Sequence, residues 1–238
     1  MSDQSELTPE EISQVRSIVA FYEESIFEKA DRDAHNIAGH FRSKPLAKLI
    51  HSIKTRAKDP SHLEDKLFRK LRASKQPAGK CFDITAENLV EKITDLAGVR
   101  LLHLHTQQFP EINTHIQSLL HEEGYLVVEG PEARTWDDEY RKVFESHGIA
   151  TVASERLYTS VHYIVQTSAK SKRTIEVQVR TLAEELWGEV DHSMNYPAPT
   201  EIYACKEQIK VLARLTSSCT RLVDSIFSTK SAAEKSVK

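Results

Sequence analysis

A chain of 238 residues, 39% hydrophobic and 28% charged, with a formal net charge of −3, is long enough for one sizeable core and has the composition of a soluble globular protein. No apolar run approaches the roughly 18–20 residues of a membrane-spanning helix, and the polar, acidic start MSDQSELTPEE is unlike a secretory signal, so a cytoplasmic protein is expected. Cys81, Cys205 and Cys219 lie far apart and form no CxxC pair, which argues against a disulfide frame or a zinc site.

Along the chain, Thr8-Pro9-Glu10-Glu11 reads as a helix start, with Thr8 as N-cap and Glu11 at the capping-box position. Ile12, Val15, Val19, Tyr22 and Ile26 follow at helical spacing. LIHSIKTRAK (49–58) reads as a strand running into a basic loop. Asp59-Pro60 opens a second helix, with Leu63, Leu67 and Leu71 on one face. Thr85 is a candidate cap for a helix carrying Leu89, Val90 and Ile93. GVRLLHLH (98–105) predicts a buried strand, Pro110 a helix with Ile112, Ile116 and Leu119, and YLVVEG (125–130) a further strand. YTSVHYIVQ (158–166) and TIEVQVR (174–180), joined by the polar TSAKSKR, predict an antiparallel hairpin. Leu182, Leu186 and Val190 mark a helix with Trp187. From about Thr200, Ile202, Ile209, Leu212, Leu215, Leu222 and Ile226 mark a long amphipathic helix that frays at its end. Strands interleaved with helices predict an α+β mixed sheet with helical cover.

Charge is distributed unevenly. Residues 42–80 carry roughly +9 and residues 122–139 roughly −6. Two solvated helical faces would account for this, and so would a polyanion site in the basic stretch. The hairpin is more pointed. Side chains alternate across a strand, so Tyr158, Ser160 and His162 share one face, as do Glu176, Gln178 and Arg180 on the next strand. Those rows fit an ordinary half-solvated sheet. They also fit a floor able to stack a base, hold a metal and meet phosphate. Asp95, just before a buried strand, pairs with Glu176 as a candidate Mg²⁺ site on a nucleoside triphosphate; as a turn cap it would have no such role. Arg56, Lys58, Lys66 and Arg69 are candidate phosphate cations. Lys66, Arg69 and Lys70 face one side of a helix together.

RAKDPSHLEDKLFRK (56–70), ITDLAGVR (93–100), YTSVH (158–162) and EVQVRTLAEELWGEVDHSMNY (176–196), in this order, resemble the synthetase domain of the RelA/SpoT family in its small, stand-alone form. The resemblance covers roughly residues 40–200. It implies a nucleotidyltransferase-like mixed sheet flanked by helices, with an N-terminal helical region (1–39), a synthetase domain (40–199) and a C-terminal helical extension (200–238). The implied reaction is transfer of pyrophosphate from ATP to the 3′-hydroxyl of GDP or GTP, with Mg²⁺ as cofactor and AMP released. By this resemblance Arg56, Lys58, Lys66 and Arg69 bind ATP, with Ala183 and Leu186 flanking the donor base. Asp95 and Glu176 hold Mg²⁺, and Glu176 helps deprotonate the attacking hydroxyl. Tyr158 stacks on the acceptor base, and His162 and Arg156 stand at the acceptor. Ser160, Gln178, Arg180 and Arg100 support the floor.

The chain departs from the family pattern mainly on the acceptor side. SERLYTSVH has Arg156 and Leu157 where Asn-Gly is usual, and Ser154 where a lysine is expected. His62 stands where a serine is typical, and Asp191 replaces the usual Glu before His192. A second reading therefore keeps the donor chemistry with another acceptor, the tRNA 3′ CCA end or an adenosine nucleotide. A toxic form of that kind would have an antitoxin protein as partner. A third reading is a non-catalytic nucleotide- or RNA-binding module. The resemblance also implies a homo-oligomer; the C-terminal helix is expected to pack either on its own domain or on a partner subunit. His35 and His40 read as surface histidines, and Trp136 and Trp187 as core or interface aromatics.

Overall fold

Thr8 accepts the backbone N–H of Glu11, and Glu11 reaches back to the N–H of Thr8, closing the capping box at the start of α1 (Pro9–Ser25). The computed structural model describes residues 7–77, 79–154, 157–168, 171–196 and 198–236. The helix α2 (Phe27–Phe41) follows directly, and its buried side is largely alanine: Ala30, Ala34 and Ala38 beside Ile37 and Phe41. Small residues let it lie close on the sheet, and they are why the spacing of large apolar residues did not reveal it. Strand β1 (Ser52–Ala57) carries the basic residues that were expected in a loop after it. Asp59 caps α3 (Pro60–Ser74), which buries Leu63, Leu67 and Leu71 as predicted. The helix expected after Thr85 is the single turn α4 (Leu89–Lys92). Asn88, not Thr85, precedes it, and its side chain accepts the Thr85 N–H at 2.8 Å.

Strand β2 (Ala97–His103) is buried along both faces. It leads to α5 (Phe109–Glu122) and to β3 (Leu126–Thr135), which runs five residues past the expected strand. Helix α6 (Asp138–Ser146) and strand β4 (Ala150–Ala153) carry too few large apolar residues to stand out in the sequence. Strands β5 (Ser160–Ser168) and β6 (Ser171–Thr181) form the predicted hairpin. They take up most of the segment read as a linker, and β5 begins two residues after Tyr158. Helices α7 (Leu182–Asn195) and α8 (Tyr203–Ser236) complete the chain.

The six strands form one mixed sheet in the order β1-β2-β6-β5-β3-β4. The pairs β2–β6 and β3–β4 are parallel and the rest antiparallel. One face of the sheet, with Val99, Leu101, Val161, Tyr163, Val177 and Val179, packs under α2 and α5 in the main core. A second cluster joins Val15, Ile18 and Tyr22 of α1 to Leu63, Leu67 and Leu71 of α3. Tyr22 also donates its hydroxyl to the Lys58 carbonyl at 2.7 Å, tying α1 to the chain leaving β1. The other face of β1, β2, β6 and β5 is left for α7 to wall off. No helix among the described residues is long and apolar enough to cross a membrane.

Candidate active site

Arg56, Gly98 and Glu176 lie in one row across β1, β2 and β6: Arg56 pairs with Gly98, and Gly98 with Glu176. Gly98 has no side chain to block the row, and a Cβ there would stand 3.2 Å from Arg56 Nε. The Arg56 guanidinium therefore lies across β2 and comes within 3.9 Å of Glu176 Oε2. The next row contains Lys54, Arg100, Gln178 and His162. Strand alternation thus delivers the predicted polar floor, extended by two arginines from β1 and β2.

Glu176 is held from two sides. His162 Nδ1 lies 3.1 Å from its Oε1, and Gln178 Nε2 donates to its Oε2 at 2.9 Å. Burial alone would raise its pKa, but the His162 hydrogen bond and the charges of His162 and Arg56 bring it below the ordinary carboxylate value, against the nearby charge of Asp95. Glu176 is thus ionised at neutral pH. Asp95 sits two residues before β2, and each of its oxygens takes one ammonium: Lys66 at 2.7 Å and Lys58 at 2.9 Å. Its burial works against ionisation, yet those two lysines hold the carboxyl down at about 2. Lys58, buried and desolvated, is lowered in turn. The charge of Asp95 opposes the ionisation of Glu176.

A cleft of about 810 Å³ opens over this floor. Arg56, Asp59, His62 and Arg69 line it on the β1–α3 side, and Arg100, His162, Gln178 and Arg180 form its base. The α7 wall presents Trp187, Gly188, Glu189, Asp191, His192 and Asn195, followed by Tyr196. Gly188 gives the Arg180 guanidinium room, because a Cβ there would stand 2.7 Å from Arg180 Nη1 and push it aside. Glu185 binds three cations from below: Lys54 at 2.7 Å, Arg100 at 3.3 Å, and Arg180. These contacts fix two of the arginines that line the cleft.

Tyr158, expected to stack on an acceptor base, lines the cleft. Its ring stacks on Trp187 with centroids 6.3 Å apart and meets His162 edge-on at 6.2 Å. The adjoining Thr159 N–H donates to Glu184 at 3.1 Å. Burial pushes the Glu184 carboxyl up to about 7. Ser160 is buried, its hydroxyl turned to the Val179 carbonyl at 3.4 Å. Arg156 lies outside the described residues. Ala183 and Leu186 are not among the residues lining the cleft, and Leu186 is 57% exposed. Leu186 lies about 200° round the helix from Gly188, so it faces away. Lys58 and Lys66 are engaged by Asp95 beside the cleft rather than exposed in it.

Sequence reasoning missed several wall residues. Trp187, read as a core or interface aromatic, is buried with Ile209 and Ala213 and also borders the cleft. His62 meets Tyr196 at 4.4 Å between centroids, and His192 stacks on Tyr196 at 4.7 Å, bridging α3 and the end of α7. The recurrence of 188, 192 and 196 at four-residue spacing was the available signal. His35 and His40 approach Asp31 and Glu123 away from the cleft. Among the described residues no group of three or more His, Cys, Asp or Glu is placed to hold a metal.

Comparison with known proteins bears on this site. A family model described as a region found in RelA / SpoT proteins matches residues 55–201, more than half of the chain. The chain is similar to small alarmone synthetase 1 from Bacillus subtilis, solved bound to its product pppGpp: 18% identity, 93% of this chain and 99% of that one covered, TM-score 0.54. It is similar to a GTP pyrophosphokinase family protein from Streptococcus pneumoniae, at 17% identity with 95% and 97% covered and a TM-score of 0.57. It is also similar to smu.1046c from Streptococcus mutans, at 18% identity with 92% and 98% covered and a TM-score of 0.56. A search of curated proteins finds no match. At these identities the structural matches establish a shared fold, and the match to the family model establishes more: the chain belongs to the RelA/SpoT family.

Proposed function

We propose that this protein is an ATP-dependent pyrophosphokinase that transfers the β,γ-pyrophosphoryl group of ATP to the 3′-hydroxyl of GDP or GTP, making (p)ppGpp and AMP. One observation carries the reading. An ionised Glu176, fixed by His162 and Gln178 and faced by Arg56, lies directly behind those three residues, which line a cleft with arginines on two sides. Phosphoryl-type transfer needs positioning and charge neutralisation more than covalent assistance. Arg56, Arg69, Arg100 and Arg180 supply fixed positive charge where the bridging oxygen to AMP gains negative charge. Glu176 accepts the proton of the attacking 3′-hydroxyl as its oxygen bonds to the β-phosphorus and the bond from the β-phosphorus to the oxygen bridging it to the α-phosphorus breaks, that oxygen leaving with AMP. Tyr158 orients the acceptor by stacking. The related Bacillus subtilis enzyme has been solved with pppGpp and with AMPCPP, in keeping with a nucleotide donor and acceptor for this cleft.

Two carboxylates suit Mg²⁺, which keeps waters and takes phosphate oxygens from its substrate. Asp95 and Glu176 would hold it. The ion would neutralise charge on the transferred phosphates. Lys58 and Lys66, which balance Asp95 in this structure, are then placed to meet those phosphates themselves.

A second reading keeps this donor chemistry and changes the acceptor. It is favoured by the segment entering Tyr158, where Leu157 has a φ of 28° and the usual Asn-Gly is missing. Purified protein supplied with labelled ATP and magnesium, and separately with GDP, GTP, ATP or bulk tRNA, distinguishes the readings. Labelled (p)ppGpp and AMP are expected, and Asp95→Asn and Glu176→Gln should each abolish them. Label reaching only tRNA or an adenosine nucleotide would move the assignment to the second reading. No transfer to any acceptor, with nucleotide still bound, would leave a binding module.

A further inference from the structure

We propose that Glu184 is a positioning residue for the acceptor: it fixes the backbone from which Tyr158 reaches into the cleft. This role rests on the reading of Tyr158 as the acceptor's stacking platform, and it adds the group on α7 that sets where the platform stands. Tyr158 and Thr159 precede β5 and lie outside the strand ladder, so the register of the sheet does not hold them. Just before them Leu157 has a φ of 28°, an uncommon conformation for a residue other than glycine. Thr159 is the fixed point of the segment: it is buried and tethered twice. Its hydroxyl meets that of Thr135 on β3 at 2.9 Å, and its backbone N–H donates to Glu184 Oε2 at 3.1 Å. The Tyr158 ring then rests on Trp187, about one turn further along α7 than Glu184.

Glu184 is the third residue after the N-cap Thr181, whose hydroxyl accepts the Glu184 N–H at 3.2 Å. A glutamate at that position commonly turns back to the N–H of the cap, as Glu11 does to Thr8 in α1. In α7 only the first half of that box forms, and the carboxyl of Glu184 reaches out of the helix to Thr159. It does so at 3% exposure, where a carboxyl without a partner is costly. Arg180, the cation beside it, is engaged by Glu185. Complementing the helix dipole would need only an exposed acid in the first turn. A buried acid that crosses to another element acts on that element. Through this bond and the Trp187 ring, α7 holds both the backbone and the side chain of the platform. Arg56 and Arg69, assigned to the donor, come instead from β1 and α3. Loosening Thr159 should therefore be felt by the acceptor and not by ATP.

The test compares, in the full chain, Glu184→Met, which keeps the length and loses the hydrogen-bond acceptor, with Glu184→Gln, which keeps an acceptor oxygen. Equilibrium dialysis with labelled GDP, GTP and AMPCPP measures binding without turnover. Glu184→Met should weaken GDP and GTP binding about five- to tenfold, leave AMPCPP binding within about twofold, and speed exchange of the Thr159 amide proton at least about tenfold by NMR. Glu184→Gln should return GDP binding, GTP binding and exchange to wild-type values. On a Tyr158→Ala background Glu184→Met should cause no further loss, because it acts through that ring. If Glu184→Met does not fold, Glu184→Asp, one methylene too short to reach the N–H, carries the same expectations. A folded variant with unchanged GDP and GTP binding overturns the proposal. So does a Thr159 amide as protected as in the wild type, an equal loss for AMPCPP, or a full further loss on the Tyr158→Ala background. The transfer reaction is judged separately. A wild-type chain that shows this binding pattern but transfers no label refutes the transfer reading and leaves the positioning role standing, and one that binds neither GDP nor GTP refutes both.

Discussion

Val177 and Glu176 are neighbours on β6, yet the two faces they occupy are held by different forces. On Val177's side, Val99, Leu101, Val161, Tyr163 and Val179 are all essentially inaccessible, and each contributes through the apolar area it removes from water, about 1.5–3 kcal/mol for a fully buried side chain. On Glu176's side, Arg56, Gln178 and His162 hold a carboxylate whose desolvation opposes its charge, and Arg100 and Arg180 are held by Glu185. The apolar face keeps the strands in register. That register allows Arg56, Arg100 and Arg180 to stand close together over one cleft despite their mutual repulsion. The core face should therefore govern stability and the cleft face activity, and substitutions one residue apart can be used to test this separation.

The largest effect is expected at Glu176. Glu176→Gln should lower the transfer rate by about 10²–10³-fold, some 3–4 kcal/mol, while the melting temperature stays nearly unchanged. Initial rates and a thermal melt measure both, and a collapse of the melt would erase the distinction between the faces. Glu184 tests the boundary between the two regimes. Its native pKa of about 7 lies above the ordinary 4.5, so between those values the folded state binds more protons than the unfolded chain. Stability should then be full below about pH 4.5 and fall as pH rises through 7, by on the order of 3 kcal/mol. Glu184→Gln keeps an acceptor for the Thr159 N–H and should flatten that slope in denaturant titrations at pH 5 and pH 8. An equally steep slope in the variant would place the titrating group elsewhere.

Val177→Ala, on the core side, is expected to cost about 2 kcal/mol of unfolding free energy and to leave the rate at saturating substrate within about twofold. A large loss of rate in a folded variant would show that the core face also tunes the chemistry. The smallest effect is expected for Tyr158→Ala. It should raise the acceptor KM about five- to tenfold, roughly 1 kcal/mol of lost stacking, with the KM for ATP unaltered. Equal changes in both would mean that the ring braces Trp187 rather than the acceptor.

Much of the site was legible in the amino-acid order because strand alternation is local: Glu176, Gln178 and Arg180 must share a face wherever β6 lies. The Thr8 and Asp59 caps were legible for the same reason, each acting within three residues. Helix α2 was obscured by its alanines and α6 by its short polar sequence. Trp187 is buried in a core cluster as expected, but that it also borders the cleft was not legible, because an aromatic at helical spacing looks the same in either place.

Local spacing determined which residues could act together within each segment, because side-chain direction follows from backbone period alone. Only the tertiary structure decided which segments meet. The parallel pairing of β2 with β6 sets Gly98 beside Glu176 across nearly eighty residues of chain, and the antiparallel pairing of β1 with β2 brings Arg56 over that glycine. Lys58 and Lys66 reach Asp95 from a different strand and helix. Such contacts depend on the register of distant strands, which is set by how the whole apolar face packs.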